Sequence, residues 1–231
     1  ARPSGDEVGA SGTTYFSGQL VEAEYNKDLQ GQKGRDIYDR MRRSDGQVKA
    51  ILSACELPLR AATWTVEPAS DSPQDKEIAD FISAELFGGL TETWDSFLKH
   101  VLLMLPFGFM LFEQVFEVVD DQVRWAKIAP RLPKTLYTWN FGAKGELTGV
   151  TQFVWKNNSY EFPVIPIERL LVFTNDREGD NYEGTSILRA SYKHWYYKDN
   201  LYRIDGIAAE RHATGVPLFK HPIDAKNDDK A

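Results

Sequence analysis

VLLMLPFGFMLFEQVFEVVDDQVRWAK, residues 101–127, holds the change of period on which the fold turns. Before it, Trp94, Phe97, Leu98 and Val101 recur at helical spacing. They predict a helix that starts at Thr91 or Thr93 and ends near Leu105. After Gly108 the period becomes two: Phe112, Gln114, Phe116 and Val118 precede Asp120-Asp121, and Val123, Trp125 and Lys127 follow. Alternation on both sides of a two-residue acidic turn predicts a β-hairpin. The apolar run Val101–Phe112 is twelve residues long and carries Pro106 and Gly108. A bilayer-spanning helix needs about 20 residues, so the run reads as a helix end, a turn and the start of a buried strand.

Working outward, helices lie upstream and hairpins downstream. Residues 1–35 lack periodicity and are rich in glycine, and are expected to form an extended arm ordered by a partner. Helical spacing begins at Asp36. Ser44-Asp45 offers an N-cap for Val48, Ile51, Leu52 and Cys55, with Pro58 ending the run. Trp64-Thr65-Val66 reads as a short strand. Ser72-Pro73 opens a helix carrying Ile78, Phe81, Ile82, Leu86 and Phe87, stopped by Gly88-Gly89. Downstream, Thr135–Trp139 and Leu147–Trp155 flank a turn at residues 142–145, and Tyr160–Phe162 and Leu170–Thr174 supply further strands. Pro130, Pro133, Pro163 and Pro166 confine these to edges or strand ends. Helices, then antiparallel hairpins, then a helix give an α+β class, with a body over residues 36–183.

The last element, Gly184–Ala213, is free of proline and predicts a helix of about 45 Å. On a helical wheel, Ile187, His194, Tyr197, Leu201, Ile204 and Ala208 share one apolar stripe. Arg189, Lys193, Tyr196, Asn200, Arg203 and Arg211 share a basic face, and Leu188, Trp195 and Tyr202 a third, apolar one. Two apolar faces parted by a polar one suit a helix wedged between neighbours. Trp195, Tyr197, Leu201 and Tyr202 are thus candidates for packing between subunits. Arg189, Lys193, Asn200, Arg203 and Arg211 are candidates for contact with DNA or with a neighbouring subunit. Residues 214–231 read as a polar, frayed or truncated tail.

Composition narrows the function classes. Hydrophobic residues at 42% and charged residues at 26% indicate a globular protein. A net charge of −7 argues against a protein that coats DNA through bulk positive charge. The single cysteine, Cys55, excludes an intrachain disulfide and a cysteine-based zinc site, and its helical position reads as a buried small hydrophobe. Neither a signal peptide nor a spanning segment is visible, which favours an intracellular or virion setting. No phosphate-binding loop, dinucleotide fingerprint, nucleophile elbow or zinc-protease motif occurs, so no catalytic residue, cofactor or metal is expected. Asp176, Glu178, Asp180 and Glu183 alternate as hard-cation ligands can, which leaves a metal-dependent nucleic-acid enzyme as an alternative, although a solvated turn explains them better. His194, on the apolar stripe, reads as a core histidine. Lys33–Lys49, with Arg35, Arg40, Arg42 and Arg43, reads as a salt-bridged helix face because Asp36, Asp39 and Asp45 interleave. A monomeric DNA-binding module is the remaining alternative.

Four blocks, taken together, resemble the portal proteins of tailed bacteriophages in the Mu-like portal family. They are residues 37–68 (IYDRMRRSDGQVKAILSACELPLRAATWTVEP), 94–117, 125–149 and 165–217. The last is the most specific, with GTSILR at 184–189, KHWYYK at 193–198, Glu210-Arg211 and Gly215-Val216-Pro217. The resemblance covers about residues 15–217. It implies a wing-like body and a dodecameric ring at one capsid vertex that conducts double-stranded DNA during packaging and ejection. It also implies partners: the terminase large subunit, head–tail connector proteins, and the major capsid and scaffold proteins. No membrane is involved. The implied location is the portal vertex of the virion, reached from the host cytoplasm during assembly. Family members are usually longer, so the chain is expected to be an N-terminal portion.

Overall fold

The computed structural model describes residues 11–21, 24–143, 145–213 and 215. The expected tail, residues 214–231, lies outside the described residues apart from Gly215. Two compact units emerge, Ala1–Arg189 and Ala190–Ala231.

The first unit departs at once from an extended arm. β1 (Thr14–Phe16) and β2 (Gln19–Val21) form a hairpin around Ser17-Gly18. Tertiary contacts that no local periodicity reveals hold it: the Trp139 N–H donates to the Gly18 carbonyl at 2.9 Å, and the Tyr15 and Phe141 rings lie 4.5 Å apart. α1 (Gly31–Ser44) begins five residues before Asp36, and α2 (Gly46–Ala61) follows Asp45, whose carboxylate accepts from the Gln47 and Val48 N–H groups. Pro58 does not end α2. Its missing donor falls in the last turn, which Arg60 secures with hydrogen bonds of 2.8 and 2.6 Å to Asp95. Trp64–Val66 form no strand; the Trp64 indole instead donates to the Leu59 carbonyl and meets Trp94 edge-on.

α3 (Pro73–Ala84) starts as the sequence predicts, with Ser72 capping the Asp75 N–H and Pro73 at the first position. It widens into a π-turn over Glu85–Gly89, which brings the buried Glu85 carboxylate to the Trp125 N–H at 3.2 Å. α4 (Trp94–Val101) is capped by Thr93, and α5 (Met104–Phe107) ends at Gly108 with φ +92°. A Cβ at Gly108 would collide with the Glu183 carbonyl, so only glycine fits there.

The strands are β3 (Phe109–Val119), β4 (Gln122–Arg131), β5 (Leu136–Phe141), β6 (Leu147–Gln152), β7 (Val154–Lys156), β8 (Ser159–Glu161), β9 (Val164–Pro166) and β10 (Leu170–Thr174). All pair antiparallel, in the orders β10-β3-β4 and β5-β6-β9 with a separate β7-β8 ribbon. The β3–β4 hairpin turns at Asp120-Asp121, both with positive φ, as expected of an aspartate pair in this position. The strand expected over Leu147–Trp155 breaks at Phe153. Asn157-Asn158, with φ of 50° and 61°, turns its second half into the ribbon.

β3 runs between two cores. Phe109 and Leu111 join Leu136, Trp139, Val150, Ile165 and Leu170 on one face. Met110 and Phe112 join Phe97, Val101 and Ile128 on the other. Burial on both faces explains why FMLF is a continuous apolar run and why alternation starts only after it. Each such side chain contributes about 1.5–3 kcal/mol on burial.

The terminal helix is shorter than expected: α6 spans Tyr192–His212, about 32 Å, and not Gly184–Ala213. Residues 184–189 are held outside helical geometry by the rest of the first unit. Asn181 Oδ1 accepts from the Glu183 and Gly184 N–H groups, Thr185 N–H donates to Asn175 O, and Ile187 N–H donates to Leu105 O. The Ser186 hydroxyl donates to Pro106 O at 2.6 Å and accepts from Leu188 N–H. No helix among the described residues is long and apolar enough to cross a membrane.

Candidate assembly and nucleic-acid surface

α6 lacks a side-chain N-cap at Ser191, and its last turn carries Arg211 and His212, which suit the negative end of the helix dipole. Lys193 and Arg211 are five turns apart and fall in one row, with Asn200 about 20° off it. Arg203 lies about 80° away but returns to that row, donating to Asn200 Oδ1 at 2.9 Å while Asn200 Nδ2 donates to Tyr196 O. Lys193, Arg203 and Arg211 are exposed. The structure therefore assembles four of the five polar candidates on one side of the helix.

Arg189 is the fifth, and it is not on the helix. It forks onto the Glu24 carboxylate, with one bond of 2.8 Å, and its guanidinium lies 4.9 Å from the centre of the Tyr25 ring. Hydrogen bonding to Glu24 holds it protonated well above the usual arginine range, despite desolvation. Its charge is neutralised within the chain by Glu24. Glu24 was not identifiable as its partner, because 165 residues separate the two.

The apolar candidates also divide. Trp195 is buried in the single chain, 6.3 Å from Tyr192, so it is not part of the free surface. Tyr197, Leu201 and Tyr202 are 56%, 62% and 68% exposed. Tyr197, Leu201, Ile204 and Ala208 repeat at i, i+4, i+7 and i+11, the spacing of a helix–helix seam. His194, expected in the core, is exposed. The stripe on which it lies is apolar but faces outward, so periodicity marked the face correctly and its burial wrongly. Cys55 is exposed as well, although it lies only about 20° round α2 from Val48, which with Leu52 is buried.

Two carboxylates of the acidic loop, Glu183 and Asp180, are already engaged within the chain. Glu183 Oε1 accepts from the Trp139 indole at 3.2 Å, and its Oε2 lies 3.5 Å from Arg35 Nη1. Asp180 lies 3.5 Å from Arg177, and its carbonyl accepts from the Tyr15 hydroxyl at 3.0 Å. Among the described residues no group of three or more His, Cys, Asp or Glu converges as metal ligands would. Arg35 is 5% exposed, and burial pushes its guanidinium below the usual range while Glu183 opposes that shift. It also donates to the Leu136 carbonyl, so the Arg35–Glu183 pair ties α1, β5 and the loop together.

The basic stretch Lys33–Lys49 is salt-bridged as the interleaved aspartates suggest. Asp39 accepts from Arg42, Arg43 and Lys134 at 2.8, 2.9 and 2.7 Å. Burial raises its carboxyl, but hydrogen bonds from Lys134 and Arg43 and the nearby Arg42 charge prevail and hold it at about 2. A cleft of about 820 Å³ lies between the Ser11–Gly31 segment and the 178–189 loop. Its walls carry Arg35, Arg189, Glu24 and Glu183, charges already matched to one another.

Comparison with known proteins gives a matching family and similar solved structures. The family described as "Portal protein of Mu bacteriophage" matches residues 35–231. A solved chain from "Neck of empty GTA particle computed with C6 symmetry" aligns with a TM-score of 0.52 at 12% identity, covering 80% of this chain and 48% of that one. The likeness is one of fold, and the chain spans about half the length of the solved chain it matches.

Proposed function

The chain belongs to the family of portal proteins of Mu bacteriophage, and from that premise we propose that it is a subunit of a closed ring at a capsid vertex, a conduit for double-stranded DNA. The observation that carries this reading is α6. It leaves Tyr197, Leu201, Tyr202 and Ile204 in water in the single chain and sets Lys193, Asn200 and Arg211 along one edge of the Tyr197–Leu201–Ile204 stripe. A closed ring needs two different faces on each subunit; α6 offers one exposed apolar stripe, Tyr197, Leu201 and Ile204, with Tyr202 exposed about 100° round the helix from it. Residues 36–183 act as the wing-like body, and α6 lies near the channel or at the subunit seam. The ring is dodecameric, docks the terminase large subunit during packaging and connector proteins afterwards, and meets scaffold and major capsid proteins during assembly in the host cytoplasm. The role is mechanical: no bond is made or broken.

The acidic total supports conduction over gripping. With 34 acidic against 27 basic residues and a net charge of −7, the protein's overall field repels the phosphates, so DNA slides and is not held. Mass photometry and negative-stain imaging of the full natural chain test the reading, with rings around a central hole as the expected result. A persistent monomer that binds duplex DNA tightly, with a salt slope reflecting about four phosphate contacts, would overturn it in favour of a DNA-binding module.

A further inference from the structure

α6 sorts its exposed residues by sign of charge as well as by polarity. With Lys193 as zero on a wheel of about 100° per residue, Ile207, Ile204, Tyr197 and Leu201 fall between about −40° and +80°. These four are 45–62% exposed. Lys193 and Arg211 lie within the same span, and Arg203 reaches toward it by donating to Asn200 Oδ1. None of the acidic residues of α6 falls there. The opposite side carries Tyr202 at about 180° and Gly206 at about 220°. Asp199 and Glu210 flank them on one edge and Asp205 on the other, where Lys198 lies 5.8 Å from the centre of the Tyr202 ring.

Two observations mark both sides as unfinished in a single chain. Arg35, Arg60 and Arg189 are ion-paired in the body, whereas among the described residues Arg203, Arg211, Asp199 and Glu210 are not. Gly206 is the second. Glycine is a poor helix former, yet this one sits inside α6, and nothing lies within 4 Å of where its Cβ would be. Within one chain the missing side chain serves no contact.

We propose that the basic apolar face of one α6 packs on the Gly206 face of the next copy's α6, parallel and at the same level, and that this joint repeats around the ring. The proposal rests on the ring reading above and names the surfaces that close it. A rotation axis adds no rise, so in helices that run along it each residue meets the next copy near its own number. Ile204 and Ile207 then enter the notch at Gly206, and Arg203 and Arg211 face Asp199 and Glu210 along one edge of the seam. Two basic faces, or two acidic ones, would set like charges together, which disfavours either symmetrical dimer. Exposed apolar residues on α3 and at the β3–β4 tip also have acidic neighbours, but a helix beside the channel has its own copies as nearest neighbours at its level. Ile204 and Tyr202 are about 160° apart, close to the angle of about 150° between the two neighbours of a helix in a ring of twelve. Twelve helices spaced at about 8–10 Å leave about 20–28 Å clear inside them, enough for a DNA duplex.

Charge reversal in the full natural chain tests the joint. Arg203→Glu with Arg211→Glu is expected to weaken ring assembly by about tenfold or more in native mass spectrometry, and Asp199→Arg with Glu210→Arg to do the same. Denaturant unfolding of the dissociated subunits should be unchanged in both. Mixing the two variants is expected to restore rings of alternating subunits, because every joint then pairs opposite charges. Gly206→Leu fills the notch and is expected to abolish rings, although leucine favours the helix itself. Rings that all three variants leave intact, or a mixture that stays dissociated, would overturn this joint and leave the ring reading standing. An unmodified chain that forms no rings would overturn both.

Discussion

β3 and α6 are both rich in large apolar side chains, yet their surroundings differ completely. In β3, Phe109, Met110, Leu111 and Phe112 are at most 1% exposed, each inserted into one of two cores. In α6, Tyr197, Leu201, Tyr202 and Ile204 are all more than half exposed. Composition does not separate these segments; what differs is whether one chain supplies both sides of the contact. β3 has a sheet neighbour on each edge and a core on each face, so its burial is complete within a subunit. α6 has exposed apolar residues whose partners, on the ring reading, belong to other copies. Substitutions should therefore act on folding in the first region and on assembly in the second.

The largest effect expected is from Phe112→Ala, which removes a ring in contact with both Phe97 and Phe173. It should destabilise the subunit by about 3–5 kcal/mol in denaturant unfolding. The same measurement on Leu201→Ala should move by no more than about 0.5 kcal/mol, while ring formation falls. Equal losses for the two would break the comparison. Next comes Arg35→Met, which strands Glu183 beside a core and should cost about 3 kcal/mol. Adding Glu183→Gln should recover part of that loss, and its failure to do so would show the pair is not coupled. Gly108→Ala should cost about 1–3 kcal/mol, because φ is positive there and a methyl meets the Glu183 carbonyl.

Smaller is the acid sensitivity of Asp39. Its folded carboxyl sits at about 2, below the unfolded value of about 3.9. Its contribution is therefore complete above about pH 4, and is lost as pH falls through about 2. Asp39→Asn should flatten the stability profile across that window and leave it unchanged near pH 7 in slope. The smallest folding effect belongs to Lys193→Gln with Arg211→Gln, within about 0.5 kcal/mol. If these residues face DNA, the salt slope of residual duplex binding drops by about one per charge removed. An unchanged slope places them at a subunit contact instead.

Much of the body was legible because its signals are local. Ser72-Pro73, Thr93 and Asp45 mark helix starts through hydrogen bonds that span two or three residues. Asp120-Asp121 marks a hairpin because aspartate tolerates positive φ. The losses share a cause as well. The β1–β2 hairpin, the late start of the expected long helix and the Arg189–Glu24 pair all depend on groups more than 60 residues distant in the chain. Within the terminal segment, Ile187 N–H donates to Leu105 and not to the residue four before it, so good helical periodicity did not yield a helix there.

The sequence by itself determined the α+β class, the placement of the main helices and hairpins, the apolar faces of α2 and α6, and the family. Each of these is encoded by residue type at short spacing, where backbone sterics and hydrogen bonding act. Only the tertiary structure decided which apolar faces are covered and which charges are already matched. Outward-facing Ile51, Cys55, His194 and Leu201 share their periodicity with buried residues, and Arg189 looks like a free cation until Glu24 is folded against it. Periodicity states that a face is apolar; whether it meets its own chain or another is set by contacts whose partners lie far along the chain or outside it.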